Sequence, residues 1–253
     1  MKKIMKKKKP KRGFLVALLI GFDEKEIHTW KVYSHSLRFY KTIKLTRKWK
    51  YLDDKQIYNL LEELVNLIRL VIRDGLKSIL LASSQKNDYS TIFLDHINKH
   101  HQGLVRDKGY NRVSFGKIIG SANTLEGAKF LISQEKSLDI ISETTSDEIN
   151  LLVKQLNKII NVGDPNKLLL YNLEDIEAFI YGRGNKDKSA AEKLDFLIVT
   201  ENFINDHKYK NRIHRLMQIA KNKGIITKTI SLENPAADRF DQFGGILAFK
   251  EIH

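Results

Sequence analysis

Cysteine is absent from the 253 residues, which excludes a disulfide framework, a thiolate nucleophile, a zinc ribbon and an iron–sulfur site. Long apolar runs are missing as well. The longest, residues 14–21, is far below the roughly 20 residues that a membrane-spanning helix needs. No small-residue cleavage site follows this run, so the basic start does not indicate a signal peptide. We therefore expect a cytoplasmic protein without a membrane partner.

Acidic residues are few relative to basic ones: 30 Asp and Glu stand against 44 Lys and Arg, a formal net charge of +14. Residues 1–12 hold eight of these cations and no acid, and the rest of the chain still carries +6. Such a tail is too charged to pack, so we predict that it is disordered. The excess on both tail and body favours a polyanionic partner, of which nucleic acid is the commonest.

Proline is scarce, and one of the three prolines lies in a concentrated turn signal, residues 163–166 (GDPN). We place a domain boundary there, which gives one domain at 13–162 and a second at 163–253. In the first domain, strands over 14–20, 27–33 and 36–45 predict an antiparallel meander. A helix capped by Asp53 or Asp54 follows. The further predicted elements are a strand at 78–82, a helix at 90–99, a strand at 113–119, and helices at 125–133 and 146–160.

The second domain alternates strands and helices, a pattern typical of a compact α/β/α layer of about 90 residues. The predicted strands are 168–171, 196–200, 227–231 and 245–249, and the predicted helices are 173–180 and 210–222.

Four segments resemble the archaeal and eukaryotic class-1 release factors and Pelota. Residues 171–176 (YNLEDI) and 190–202 (AAEKLDFLIVTEN) are similar to the family's third domain, where a tyrosine-led helix precedes a small-residue turn, an apolar strand and an acidic residue. Residues 243–249 (FGGILAF) resemble its last strand, and residues 115–127 (FGKIIGSANTLEG) resemble a Gly-rich turn of its middle domain. The order and spacing of these segments extend the resemblance over roughly residues 14–253.

The resemblance implies an α/β protein with an RNase H-like mixed-sheet middle domain, followed by an α/β/α domain similar to kink-turn-binding ribosomal proteins. It implies the ribosome (large subunit) and tRNA or rRNA as partners, with a translational GTPase or recycling ATPase, and no cofactor. The basic tail stands where the family has its decoding domain, so we expect no codon recognition.

Release factors of this family hydrolyse peptidyl-tRNA with a Gly-Gly-Gln loop, and residues 44–56 match that loop by position. Gln56 stands at the start of the long helix and is the candidate catalytic residue, but Asp54 and Lys55 replace the two glycines. Those glycines allow strained backbone angles, and the loop's backbone amide stabilises the oxyanion. The alternative, a first-turn helix residue, is favoured because glutamine is readily accommodated in helices.

Three basic clusters are candidate RNA-binding sites, because cations neutralise phosphates while aromatic rings stack on bases. The alternatives are a solvated strand end around a buried tryptophan for the first cluster and a charged surface loop for the third. The candidate residues are, cluster by cluster, Lys44, Arg47, Lys48, Trp49 and Lys50; Arg106, Lys108 and Arg112; and Arg183, Lys186 and Lys188.

Histidines and nucleotide motifs add little. His96, His100 and His101 could place two imidazoles on one helix face, but no third ligand is evident, so we predict a polar helix end and no metal site. A phosphate-loop signature is also absent.

The leading hypothesis is a ribosome- or tRNA-associated translation factor of the release-factor/Pelota type, acting in ribosome rescue or translation quality control. Two alternatives stay open: a peptidyl-tRNA hydrolase that uses the diverged Gln56 loop, and a stand-alone protein that binds structured RNA.

Overall fold

The computed structural model describes residues 13–106, 112–161, 168–182, 193–206, 208 and 210–250. They form two compact units. The first contains residues 13–65, 78–101 and 115–141, and the second contains the other described residues, including 142–161. The predicted disordered tail and the predicted boundary between residues 162 and 163 lie outside the described residues, so both stay predictions.

The first unit is built on a mixed five-stranded sheet. Its strands are β1 (Leu15–Phe22), β2 (Glu26–Tyr33), β3 (Ser36–Lys44), β4 (Ser78–Ser83) and β5 (Ser114–Ile119). The spatial order is β3-β2-β1-β4-β5, with β1, β2 and β3 antiparallel and β4 parallel to β1. The predicted meander is confirmed, and β3 lies at an edge of the sheet.

The helices up to residue 161 are α1 (Asp54–Arg73), α2 (Tyr89–His100), α3 (Gly103–Arg106), α4 (Leu125–Ser133) and α5 (Glu135–Asn161). The buried side chains of α1 recur at helical spacing along one face: Leu61, Leu64, Val65, Leu67, Ile68 and Val71.

Apolar side chains cover both faces of the first sheet. On one face, Leu19, Trp30 and Leu80 pack with Ala128 and Leu131 of α4. The indole Nε1 of Trp30 donates a hydrogen bond to the carbonyl of Ala122 at 2.7 Å. Neighbouring strand positions that point to the opposite face, such as Leu18 and Leu81, are also fully buried. Burial on both faces explains why β1 and β4 are continuous apolar runs rather than alternating ones.

The second unit contains a four-stranded sheet of β6 (Leu169–Leu170), β7 (Phe196–Thr200), β8 (Ile226–Ile230) and β9 (Ile246–Phe249). Its order is β6-β9-β7-β8, with β7 and β8 parallel and β9 antiparallel to both of its neighbours. The helices of this part of the chain are α6 (Leu173–Tyr181), α7 (Glu201–Asp206), α8 (Lys210–Asn222) and α9 (Ala237–Asp241).

Side chains alternate along β7 between two apolar layers. Phe196 and Ile198 pack with Leu152 of α5 and Phe240 of α9. Leu197 and Val199 pack on the other side, against residues of α6 and α8 that include Ile176, Ile180, Ile213 and Leu216. Because helices cover both faces of the sheet, the predicted α/β/α layering is confirmed.

The largest difference from the predicted elements is the start of α5. The sequence predicts a helix over 146–160, but α5 already begins at Glu135. Ser142, Thr144 and Thr145 are weak helix formers, which is why periodicity alone stops short of them. Tertiary packing overrides that preference, since Ser137 and Thr144 are buried and Ile140 packs against the core of the first unit.

Gly244 and Gly245 turn the chain into β9 with φ angles of 90° and 75°, which L side chains rarely adopt. A Cβ added to Gly245 would lie 2.8 Å from the Cβ of Phe203 and 2.9 Å from Oγ1 of Thr200. At Gly244 the nearest atom, the carbonyl oxygen of Tyr171, would be 3.7 Å away. The second glycine is therefore required by space as well as by backbone angle.

Candidate nucleic-acid interface

The first predicted RNA-binding cluster lies at the end of the edge strand β3 and in the segment 45–53, which leads into α1. Trp49 anchors this segment within the first unit. Its ring stacks on Tyr89 at a centroid distance of 4.6 Å, and its Nε1 donates to the carbonyl of Asp23 at 2.9 Å. Only 4% of Trp49 is exposed. The ring therefore packs inside the protein, which matches the alternative interpretation of a buried tryptophan rather than that of a ring placed to stack on a base.

Tyr51 is the aromatic side chain that this segment offers to solvent, with 61% of its surface exposed. It follows Trp49 in a short 3₁₀ turn over Trp49–Tyr51. The ammonium of Lys50 lies 4.8 Å from the centre of its ring. The sequence analysis selected Trp49 and not Tyr51 as the stacking ring, because composition does not show which of two nearby rings is buried.

The cations around this segment differ in what they contact. Lys44, Arg47 and Lys50 are exposed. Among the described residues, no carboxylate forms an ion pair with any of these three. Their charges are therefore available to a phosphate without first breaking an internal pair.

Lys48 differs from these three cations because it forms an ion pair within the protein. Its ammonium lies 2.5 Å from a carboxylate oxygen of Glu24. The hydrogen bond and charge of Lys48 hold the pKa of Glu24 below its usual value, and the same contact raises the pKa of Lys48. The structure thus separates one member of the predicted cluster, which pairs internally, from three that do not.

Gln56 takes part in a reciprocal cap at the start of α1. Its backbone N–H donates to a carboxylate oxygen of Asp53 at 2.8 Å, and its side-chain Oε1 accepts from the backbone N–H of Asp53 at 3.1 Å. This is the capping-box arrangement, with Asp53 as the cap and Gln56 three residues later. It matches the structural interpretation of Gln56, and the catalytic interpretation stays a prediction.

The other two predicted clusters are described only in part. Arg106 ends α3 in the second unit and is exposed; its guanidinium donates to the side-chain oxygen of Gln102 at 3.3 Å. Arg112 is also exposed. Lys108, Arg183, Lys186 and Lys188 lie outside the described residues. Their predicted RNA-binding role stays a prediction.

Comparison with solved structures defines the class of fold as the mixed α/β fold of Pelota. The chain superimposes on a structure of ribosome-bound archaeal Pelota and ABCE1 with a TM-score of 0.52 and 13% identity, covering 93% of this chain and 61% of that one. The chain therefore spans about three fifths of the length of this relative. At such low identity the likeness establishes the fold.

Two further structures have lower scores. Dom34 of S. cerevisiae, described as a translation termination-like factor that interacts with Hbs1, gives 0.49 at 19% identity, covering 94% of this chain and 63% of that one. Pelota of Archaeoglobus fulgidus gives 0.39 at 14% identity, covering 96% and 66%. No protein-family model matches the sequence, and no curated protein matches it. In the part of the chain that the structure describes, no helix is both long and apolar enough to cross a membrane.

Proposed function

We propose that this protein is a translation-associated factor of the release-factor/Pelota type, which binds the ribosome and tRNA or rRNA in ribosome rescue or translation quality control. The observation that carries the proposal is that 93% of the chain shares a fold with archaeal Pelota in its ribosome-bound form. The likeness extends over both units rather than over one widely distributed domain. It therefore favours a role of the same kind as that of Pelota over independent use of a common fold.

The charge distribution supports an RNA partner. The chain has a net charge of +14, and its edge strand β3 ends at Lys44, with Arg47 and Lys50 in the segment that follows. Cations that lack an internal partner bind phosphate with release of counterions and little loss of folding energy. We infer that these three side chains contact the RNA backbone and that the exposed ring of Tyr51 stacks on a base.

The partners of the similar structures suggest the kinds of protein that this chain would contact. Archaeal Pelota is described on the ribosome with ABCE1, and Dom34 with Hbs1. We include a recycling ATPase and a translational GTPase of these kinds among the proposed partners.

Co-sedimentation with purified large ribosomal subunits through sucrose tests the proposal. The full chain should sediment with the subunits at moderate salt. The triple variant Lys44→Ala, Arg47→Ala, Lys50→Ala should bind more weakly, with a slope of log affinity against log salt that is shallower by up to about 2 to 3, since each phosphate contact contributes about 0.7 to 0.9.

A matched control removes the same number and types of charge elsewhere: Lys129→Ala, Lys154→Ala, Arg215→Ala, all at exposed positions. It should retain the slope of the unmodified chain. Absence of sedimentation with subunits or whole ribosomes would refute the translation role. Equal loss in the two triple variants would refute the assignment of the interface and leave binding driven by net charge alone.

A further inference from the structure

Two histidines and a glutamate converge in the first unit. Glu62 lies on α1, His96 lies in the last turns of α2, and His101 directly follows that helix. Nε2 of His96 is 2.8 Å and Nε2 of His101 is 2.6 Å from the same oxygen, Oε1 of Glu62. The three ligand atoms all lie within 4.8 Å of one another.

We propose that Glu62, His96 and His101 form a binding site for one Zn²⁺ or a similar divalent transition metal. The inference does not depend on the proposed function, because it rests on the side-chain geometry of one unit. It also replaces our prediction of a polar helix end without a third ligand: the third ligand is Glu62, 34 residues before His96.

The spacing of the two histidines is not the usual one for ligands on a single helix. Positions five apart do not share a helix face, but His101 is the residue where α2 ends, with φ −132° and ψ 41°. This non-helical backbone brings its ring to the same carboxylate that His96 contacts. The non-helical backbone at the end of α2 therefore brings the two imidazoles to one carboxylate. Helical i, i+4 spacing would pair His96 with His100 instead.

The donor set fits zinc chemistry. Two imidazole nitrogens and one carboxylate oxygen are the protein ligands of one type of zinc site, which leaves a fourth position for water or another ligand. Zinc–ligand bonds of about 2.0–2.2 Å in tetrahedral geometry hold ligand atoms roughly 3.3 Å apart. The two histidine–glutamate separations of 2.6 and 2.8 Å differ from that by less than an ångström, and the two imidazole nitrogens lie within 4.8 Å of each other, so side-chain rotations would bring the three atoms to metal-binding distances.

The surroundings also fit. His96 is 7% exposed, and His101 and Glu62 are partly buried. The ring of Tyr58 packs edge-on against His96, with centroids 5.2 Å apart, and restricts its orientation. Both histidines direct Nε2 at the same oxygen of Glu62, so a cation bound among the three atoms would replace these two hydrogen bonds with bonds to the metal.

Isothermal titration of Zn²⁺ into the full chain, prepared without a histidine tag, tests the proposal, together with the visible spectrum of the Co²⁺-loaded protein. We expect one equivalent to bind and Co²⁺ to give the intense bands of a tetrahedral site. Glu62→Gln and His101→Gln should each weaken binding at least about 100-fold, beyond the 10- to 100-fold typical of residues that only support ligands.

Matched controls lie next to each ligand. Glu63→Gln and His100→Gln change the same residue types at exposed positions and should leave the affinity within about threefold. Failure to bind one equivalent of Zn²⁺, or equal weakening in the controls, would overturn the proposal. Should a ligand variant fail to fold, carbethoxylation of the unmodified chain decides: Zn²⁺ should protect His96 and His101 and leave His100 reactive, and unprotected His101 would refute the site.

Discussion

The two units place their distinctive charges in opposite environments. In the first unit, exposed cations lie at the end of the edge strand β3 and in the segment 45–53 that follows it. In the second, Lys228 on β8 and Glu148 on α5 form an ion pair of 2.5 Å inside the protein, with side chains 7% and 0% exposed. An exposed cation contributes little to stability and is available to a ligand, whereas a buried pair is costly to break and contacts no ligand. Charge alone therefore does not indicate function; its surroundings do.

The largest effect should come from breaking the buried pair. Glu148→Ala leaves the ammonium of Lys228 without its counter-charge and should lower the free energy of unfolding by about 3–5 kcal/mol. Urea denaturation measures it. The double variant Glu148→Leu, Lys228→Met removes both charges and should recover most of this loss. A single variant no less stable than the double one would contradict our account of the pair.

Trp49→Ala should have the next largest effect, about 3 kcal/mol of unfolding free energy, because it removes a ring packed between Tyr89 and Phe22. Tyr51→Ala is its counterpart. It should change stability by less than about 0.5 kcal/mol and weaken RNA binding roughly 5- to 150-fold, the equivalent of one stacked base. Urea denaturation and fluorescence anisotropy with labelled tRNA separate the two effects. The reverse result would show that Trp49 is the stacking ring.

Asp88 tests whether an exposed carboxylate can still matter for folding. It caps α2 and accepts hydrogen bonds from Lys117, Ser90 and Thr91, which hold its pKa far below the usual value. Asp88→Ala should cost about 1 kcal/mol at pH 7.

The pH dependence of this cost has a defined sign. Because the pKa is depressed only in the folded state, the stabilisation is complete above the unfolded pKa of about 3.9 and decreases as the pH falls below it. Unfolding measured between pH 6 and 2 should therefore show the variant and the unmodified chain converging in acid. Asp139→Ala, at an exposed position on α5, should differ little from the unmodified chain at any pH. A gap for Asp88 that widens in acid would contradict the assignment.

The smallest expected effect concerns Gln56. Gln56→Ala should cost about 0.5 kcal/mol by removing one half of the capping box, and Gln56→Glu should retain that stability. The same pair of variants addresses the catalytic alternative, because a carboxylate can cap the helix but changes the charge next to a reacting ester. Peptidyl-tRNA release by the unmodified chain that both variants abolish, with stability unchanged in Gln56→Glu, would support catalysis.

Much of the fold follows from local pattern. The β1–β3 meander, α1, β7 and α8 were predicted because apolar spacing, turn residues and caps agree in each of them. The start of α5 and the short helices α3, α7 and α9 were not predicted. Ser142, Thr144 and Thr145 are weak helix formers within α5, and the three short helices contain only four to six residues, too few to show helical periodicity.

The candidate site was less predictable than the fold, since its decisive contacts are distant in sequence. The burial of Trp49 depends on Tyr89, 40 residues later, and the proposed metal site depends on Glu62 meeting histidines beyond position 95. Neither pairing leaves a periodic or spacing signal. What the sequence does show is which segments carry cations, because composition alone reveals charge.

The turn into β9 has a consequence for how sequences of this fold can diverge. At Gly244 an asparagine could enter for a modest energetic cost, because asparagine tolerates left-handed angles and the site has room. At Gly245 any side chain would collide with the Cβ of Phe203. A substitution there is therefore not tolerated unless α7, which carries Phe203, moves as well. Two glycines that look equivalent in the printed sequence should therefore differ in tolerance, and the second is the better landmark for recognising distant chains that share this domain.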